Sequence, residues 1–98
     1  MSKVYLAGKM TGDCDFQGKF LEAAAELRKA GYLPMHSALL PQGFEHQEYI
    51  HICKAMIDIC DVICLLPDWA DSPGAIMEYQ YAIQMKKHPM FLSEAIGK

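Results

Sequence analysis

Glu78 ends the run Ser72-Pro73-Gly74-Ala75-Ile76-Met77-Glu78, whose residue types read as a helix start leading to a carboxylate. Ser72 is suited to the N-cap and Pro73 to the first helical position, where its missing N–H costs nothing. The free N–H groups of such a first turn favour an anion. Gly74 weakens the helix relative to alanine. It also clears space one turn before Glu78, because residues four apart share a helix face. Glu78 is too far along to close a capping box, a place that falls to Ala75. Its neighbours on the same face, Tyr81, Ala82 and Met85, are mostly apolar. A carboxylate among apolar side chains either pairs with a buried partner or does chemistry. The structural alternatives are a salt bridge to Lys9 or a hydrogen bond from Tyr5.

Other candidates are less specific. Gly8-Lys9-Met10-Thr11-Gly12 matches neither a P-loop nor a dinucleotide fingerprint, and reads equally as a backbone approach to phosphate or sugar and as a tight turn. Trp69, the single tryptophan, suits stacking on a base and burial in a subunit interface alike. His36 is the one histidine expected near the same cleft. Asp61 reads as a brace at a helix-to-strand junction. Cys14, Cys53, Cys60 and Cys64 contain no CxxC pair and read as buried, reduced thiols, so no metal site is expected.

Positioning these residues requires alternating strands and helices. Val4–Ala7 is a short apolar strand ending at Gly8. Asp15 is a candidate N-cap for a helix carrying Phe16, Phe20, Leu21, Ala24 and Leu27 to Ala30, with Gly31 at C′. Tyr32–Met35 reads as a strand in which Pro34 marks either an edge position or an early end to pairing. After a loop from His36 to Glu45, a second helix spans His46 to Cys60. Val62–Leu66 has the continuous apolar character of a parallel strand buried on both faces. A third helix follows from Ser72-Pro73 to about Lys87. Pro89–Leu92 forms a last strand, and the tail from Ser93 is expected to be loose. The order β-α-β-α-β-α-β predicts one α/β domain over residues 1–98, a three-layer α/β/α, Rossmann-like or flavodoxin-like fold on a four-stranded parallel sheet. Ligands of such sheets bind at the carboxyl ends of the strands, where Gly8–Gly12, His36-Ser37 and Asp68–Glu78 should meet.

Composition narrows the partners. Apolar residues make up 52% of the chain and charged ones 21%, which marks a globular protein. A net charge of −3 argues against nucleic acid or an anionic membrane surface as partner. No apolar run reaches the length of a membrane span, and a strand beginning by Lys3 leaves no room for a signal peptide, so a cytoplasmic location is expected. A core this small in so apolar a chain leaves side chains to be covered by self-association, so a homodimer or higher homo-oligomer is expected.

Taken together, Val4-Tyr5-Leu6-Ala7-Gly8, Cys60-Asp61, Leu66-Pro67-Asp68-Trp69 and Ser72–Glu78 resemble the nucleoside 2-deoxyribosyltransferase superfamily. The chain looks most like its short phage- and bacteria-associated branch, DUF4406. The resemblance implies that Glu78 attacks the anomeric carbon of a (deoxy)nucleoside monophosphate, with Tyr5 holding the carboxylate. It further implies a glycosyl-enzyme ester resolved by water or a second base, as suits an oxocarbenium-like transition state. Ser72 stands where the nucleotide N-glycosidases contact a 5′-phosphate. The implied ligand contacts are Gly8, Lys9, Met10, Asp68, Trp69, Ser72 and Gly74, with no metal and no cofactor. Cys53 stands where the active enzymes carry an aspartate that helps protonate the leaving base, and Asp68 or Asp71 would have to substitute. The alternative is a non-catalytic nucleotide-binding module, a phage-type sensor or sponge.

Overall fold

The computed structural model describes residues 1–97 and contains four strands, β1 (Lys3–Ala7), β2 (Leu33–Met35), β3 (Val62–Leu65) and β4 (His88–Phe91). Four helices accompany them: α1 (Phe16–Lys29), α2 (His46–Ile59), α3 (Pro73–Gln84) and the single turn α4 (Leu92–Ala95). The strands form one parallel sheet in the order β2-β1-β3-β4. The expected α/β/α architecture is therefore the one observed. Both prolines within strands, Pro34 and Pro89, fall on the two edge strands, where a missing N–H costs no ladder bond on the open side.

Strand alternation sorts the core into two layers. Tyr5, Ala7, Ile63 and Leu65 pack with Cys53, Ile57, Ala75 and Ala82 of α2 and α3. Val4, Leu6, Cys64 and Leu66 face Phe20, Ala23 and Leu27 of α1 on the other side, where Leu92, Ala95 and Ile96 of the C-terminal turn also pack. Tyr5 is thus directed by its strand parity onto the same side as α3. Asp61 braces the β1–β3 start as expected: its carboxylate accepts the Lys3 N–H at 3.1 Å, and its own N–H donates to the Lys3 carbonyl at 2.8 Å.

Several boundaries differ from the sequence expectation for local reasons. α3 ends at Gln84 rather than near Lys87, because Lys86 takes a left-handed φ of 62° that turns the chain into β4. The Lys87 N–H then donates back to the Ala82 carbonyl at 2.9 Å. The tail is not loose: Leu92–Ala95 forms α4, and the Glu94 carboxylate accepts the Phe91 N–H at 2.8 Å. α2 is entered through a Glu45/Glu48 capping box. Asp15 occupies the α1 N-cap position without a side-chain capping bond, whereas Gly31 ends that helix at φ +93° as its C′ position requires. Among the cysteines, Cys53, Cys60 and Cys64 are buried, but Cys14 is exposed, since it lies in the loop ahead of α1 and on no apolar stripe.

Gly8, at the end of β1, is held to glycine by packing. A Cβ there would stand 2.6 Å from Leu66 Cδ1 and 2.9 Å from Leu66 Cβ. Gly8→Ala should therefore destabilise the fold by about 1–3 kcal/mol, as overpacking of a filled core does. Urea unfolding measures this directly, and a variant as stable as the parent would show that Leu66 yields without cost.

Candidate active site

The loops after β1 and β2, the segment leading into α3 and the facing sides of α2 and α3 line a cavity of about 670 Å³. That volume lies within the range of pockets that hold drug-sized or nucleotide-sized ligands. Glu78 lines it, one turn into α3 from Gly74 and Ala75, and the Tyr5 hydroxyl donates to Glu78 Oε2 at 2.7 Å. Tyr5 itself is 1% exposed. Of the two structural partners considered for Glu78, the tyrosine is the one present.

Burial pushes the Glu78 carboxyl above the ordinary glutamate range, against smaller opposing contributions from Tyr5 and Cys53. The same burial, reinforced by the Glu78 charge, holds the Tyr5 phenol well above its usual value, so the hydroxyl remains a donor. Cys53, on the α2 wall of the cavity, is likewise raised by burial and stays a thiol. The result is a carboxylate with one firm hydrogen bond, a desolvated setting and open space in front of it. Such a group is a competent nucleophile toward an electrophilic carbon.

The α3 start is built as its sequence suggests. Ser72 Oγ accepts the Ala75 N–H at 3.1 Å, and Ser72, Pro73 and Gly74 all line the cavity. A Cβ on Gly74 would meet only Ser72 Oγ, at 3.8 Å, so the space it leaves belongs to the cavity and not to protein packing. Gly8, Lys9 and Met10 form the opposite wall. Asp68 and Trp69 do not line the cavity. The Asp68 carboxylate is taken up by the Lys9 N–H at 3.0 Å and by Lys19 Nζ. The Trp69 ring is turned by the 3₁₀ segment Trp69–Asp71 onto Tyr79, with ring centroids 5.0 Å apart. His36 is also outside: its Nδ1 accepts the Ala38 N–H at 3.2 Å and its ring packs on Phe20. Burial lowers its pKa, consistent with a neutral acceptor.

Lys19 is the residue that the sequence does not announce. Its ammonium donates to the Lys9 carbonyl at 2.6 Å, to Asp13 at 2.7 Å and to Asp68 at 2.5 Å, tying the Gly8–Gly12 loop to the loop after β3. Burial alone would raise the Asp68 carboxyl, but Lys19 and the Lys9 amide outweigh it and hold the group below the usual range. Only its place beside the buried Phe20 on α1 hints at this inward role. On the α2 side, Tyr49, Ile50 and Lys54 complete the wall. Tyr49 clamps the preceding loop, donating to the Pro41 carbonyl at 2.6 Å and accepting the Phe44 N–H at 3.2 Å. No group of three or more His, Cys, Asp or Glu side chains is arranged to hold a metal ion among the described residues. Nor is any helix among them long and apolar enough to cross a membrane.

This chain belongs to the DUF4406 family, a domain of unknown function whose match covers residues 2–91. Its fold is shared with proteins of known structure. It superposes on a 2-desoxiribosyltransferase from Leishmania mexicana with a TM-score of 0.75 at 17% identity, over 93% of this chain and 63% of that one. It also superposes on a CMP N-glycosidase, BcmB, from Clostridium botulinum with a TM-score of 0.65 at 19% identity, over 91% of this chain and 69% of that one. This chain thus spans somewhat less than two thirds of the Leishmania protein's length. No curated protein sequence matches it.

The raised Glu78 pKa has a consequence for stability. The folded state holds this proton more tightly than the unfolded chain does, so ionising Glu78 costs stability. That cost is absent below the unfolded carboxyl pKa, grows as pH rises toward the raised folded value, and is complete above it. Glu78→Gln should therefore be more stable than the parent at neutral pH, with the gap closing on acidification below about pH 4. Thermal unfolding across this range is the check; a glutamine variant that is less stable at neutral pH contradicts the assignment.

Proposed function

We propose that this protein acts on the N-glycosidic bond of a (deoxy)nucleoside monophosphate, as an N-glycosidase or 2-deoxyribosyltransferase-like enzyme with Glu78 as nucleophile. The observation that carries this reading is the Tyr5–Glu78 hydrogen bond at the wall of an open cavity in a nucleoside-processing fold. In the first step a Glu78 oxygen attacks the anomeric carbon while the C–N bond to the base breaks. In the second, water or an acceptor base displaces the carboxylate from the glycosyl ester. Splitting the displacement lets one carboxylate serve both halves. Tyr5 keeps Glu78 oriented and steadies its charge as the ester forms and breaks.

The phosphate falls to the α3 N-terminus, where Ser72 and Gly74 line the cavity together with Lys9 and the Gly74 N–H is the first-turn donor left without a partner among the described residues. The sugar lies between Gly74 and the Gly8–Met10 wall. Self-association as a homodimer or higher homo-oligomer belongs to the same reading and is supported by exposed Ile59, Ile83, Met85 and Phe91. So do a single domain and a cytoplasmic setting, where nucleotide pools are found.

A second reading, a nucleotide-binding module without turnover, is favoured by Cys53, since a thiol is a poor substitute for a carboxylic acid beside the leaving base. Incubation with a panel of nucleosides and nucleoside monophosphates, following free base, separates the two. Turnover should fall by roughly 10⁴-fold or more in Glu78→Ala. It should fall about 10- to 100-fold in Tyr5→Phe, the worth of a hydrogen bond to a charged group. Tight binding of a nucleotide with no base released would select the binding module, and release unaffected by Glu78→Ala would remove Glu78 from the chemistry.

A further inference from the structure

A base leaving an anomeric carbon takes the bonding electron pair onto its ring nitrogen. An uncharged base must then depart as an anion or receive a proton in the transition state, and a positioned acid supplies that proton in most such sites. The surroundings of Glu78 are poor in such acids. From β1 comes the Tyr5 hydroxyl, whose hydrogen is already given to Glu78 at 2.7 Å. From α2 comes the Cys53 thiol, buried and, like Tyr5, held above its ordinary pKa by desolvation. From α3 itself comes Tyr81, whose hydroxyl donates to Asp58 at 2.5 Å on the outer side.

The remaining ionisable groups on the cavity wall are no better placed. Lys9 stands with the α3 start where the phosphate is placed, the Lys54 ammonium lies over the Tyr81 ring at 5.2 Å from its centroid, and the Tyr49 hydroxyl donates to the Pro41 carbonyl at 2.6 Å. Asp71 and His46 are solvent-exposed. His46 opens α2, about 10 Å along the helix axis from Cys53 at 1.5 Å per residue. Asp68, the other nearby carboxylate, is bound to the Lys9 N–H and to Lys19 and lies outside the wall.

From this arrangement we infer, building on the N-glycosidase reading above, that the site serves nucleotides whose leaving group is already cationic, of the pyridinium or N-alkylated purinium class. For these no proton is needed. A Glu78 oxygen bonds to the anomeric carbon, the C–N bond breaks, and its electron pair cancels the positive charge on the ring nitrogen, so the base leaves neutral. Water then attacks the anomeric carbon of the ester, Glu78 leaves as carboxylate, and the water's second proton passes to solvent. Apart from Glu78, the inner wall has only to exclude solvent and hold the ring, which neutral Cys53, Ala75 and Ile57 can do.

The test pairs N7-methyl-GMP with GMP and nicotinamide mononucleotide with CMP, with each rate expressed as an enhancement over the uncatalysed hydrolysis of the same compound. The enhancement should be about 100-fold greater for the cationic member of each pair, the lower end of what a general acid is worth. Cys53→Asp, which installs the missing acid, should raise release from GMP and CMP by about tenfold or more and so narrow the gap within each pair. The parent's own pH profile gives a second readout that needs no variant: for nicotinamide mononucleotide, whose pyridinium charge does not titrate, it should rise as Glu78 ionises and then stay level on the alkaline side. Equal enhancements within each pair, or an alkaline falling limb, would overturn this inference while leaving Glu78 as nucleophile intact. Release from no member of either pair would overturn the N-glycosidase reading itself.

Discussion

An ionisable carboxyl group held in a desolvated groove is the constraint around which this small protein is arranged. Glu78 cannot be left without a partner, because burying a bare charge costs several kcal/mol. The Tyr5 hydroxyl meets that need from the first strand. For it to do so, Tyr5 must point toward α3, which fixes the parity of β1, a strand that lies inside the sheet β2-β1-β3-β4. The same parity sends Val4 and Leu6 to the α1 side. One hydrogen bond therefore ties the central strand, the third helix and the division of the core into two layers to the candidate site.

The cavity in front of Glu78 stays open because its walls are held from outside. Lys19 gathers the Lys9 carbonyl, Asp13 and Asp68 into one cluster, and the Lys9 N–H completes it on Asp68, so both backbone groups of Lys9 are fixed. With side chains about a quarter exposed, this cluster is shielded enough for its hydrogen bonds to count and wet enough to escape the full cost of burying charge. Tyr49 performs the matching task for the loop after β2, and the Ser72 cap does so for α3. Glycines finish the design: Gly8 permits the close approach of Leu66, and Gly74 leaves room that no protein atom fills.

Much of this was legible in the residues themselves because it rests on local rules. Hydrophobic periodicity and the Gly31 stop marked α1, Pro34 marked an edge strand, the apolar run Val62–Leu66 marked a central one, and Ser72-Pro73-Gly74 marked the start of α3. Glu78 stands out because its helix face is otherwise apolar, and Tyr5 is one of the two partners its surroundings offer. What was not legible depends on contacts distant in sequence. Lys19 reaches Asp68 across 49 positions, and no local pattern shows that the aspartate is used up there and withdrawn from the cavity. Trp69 suits a ligand and a subunit interface equally by its residue type, and only the 3₁₀ segment turns it onto Tyr79. The early end of α3 at Lys86 and the docking of α4 follow from the need to bring β4 alongside β3, a tertiary demand that overrides the helical character of Lys86-Lys87 and the polar tail.

The central claim is that Glu78 becomes covalently attached to the sugar. A 2-deoxy-2-fluoro nucleotide analogue with a cationic leaving group tests it most directly. The fluorine destabilises the oxocarbenium-like transition states of both steps, while the activated leaving group keeps the first one fast enough for the ester to accumulate. Intact-protein and peptide mass spectrometry should then show one fluoroglycosyl phosphate per chain, on the peptide carrying Glu78, and none in Glu78→Gln. An analogue that binds in the cavity but leaves the protein unmodified, or an adduct on any residue other than Glu78, would contradict the account.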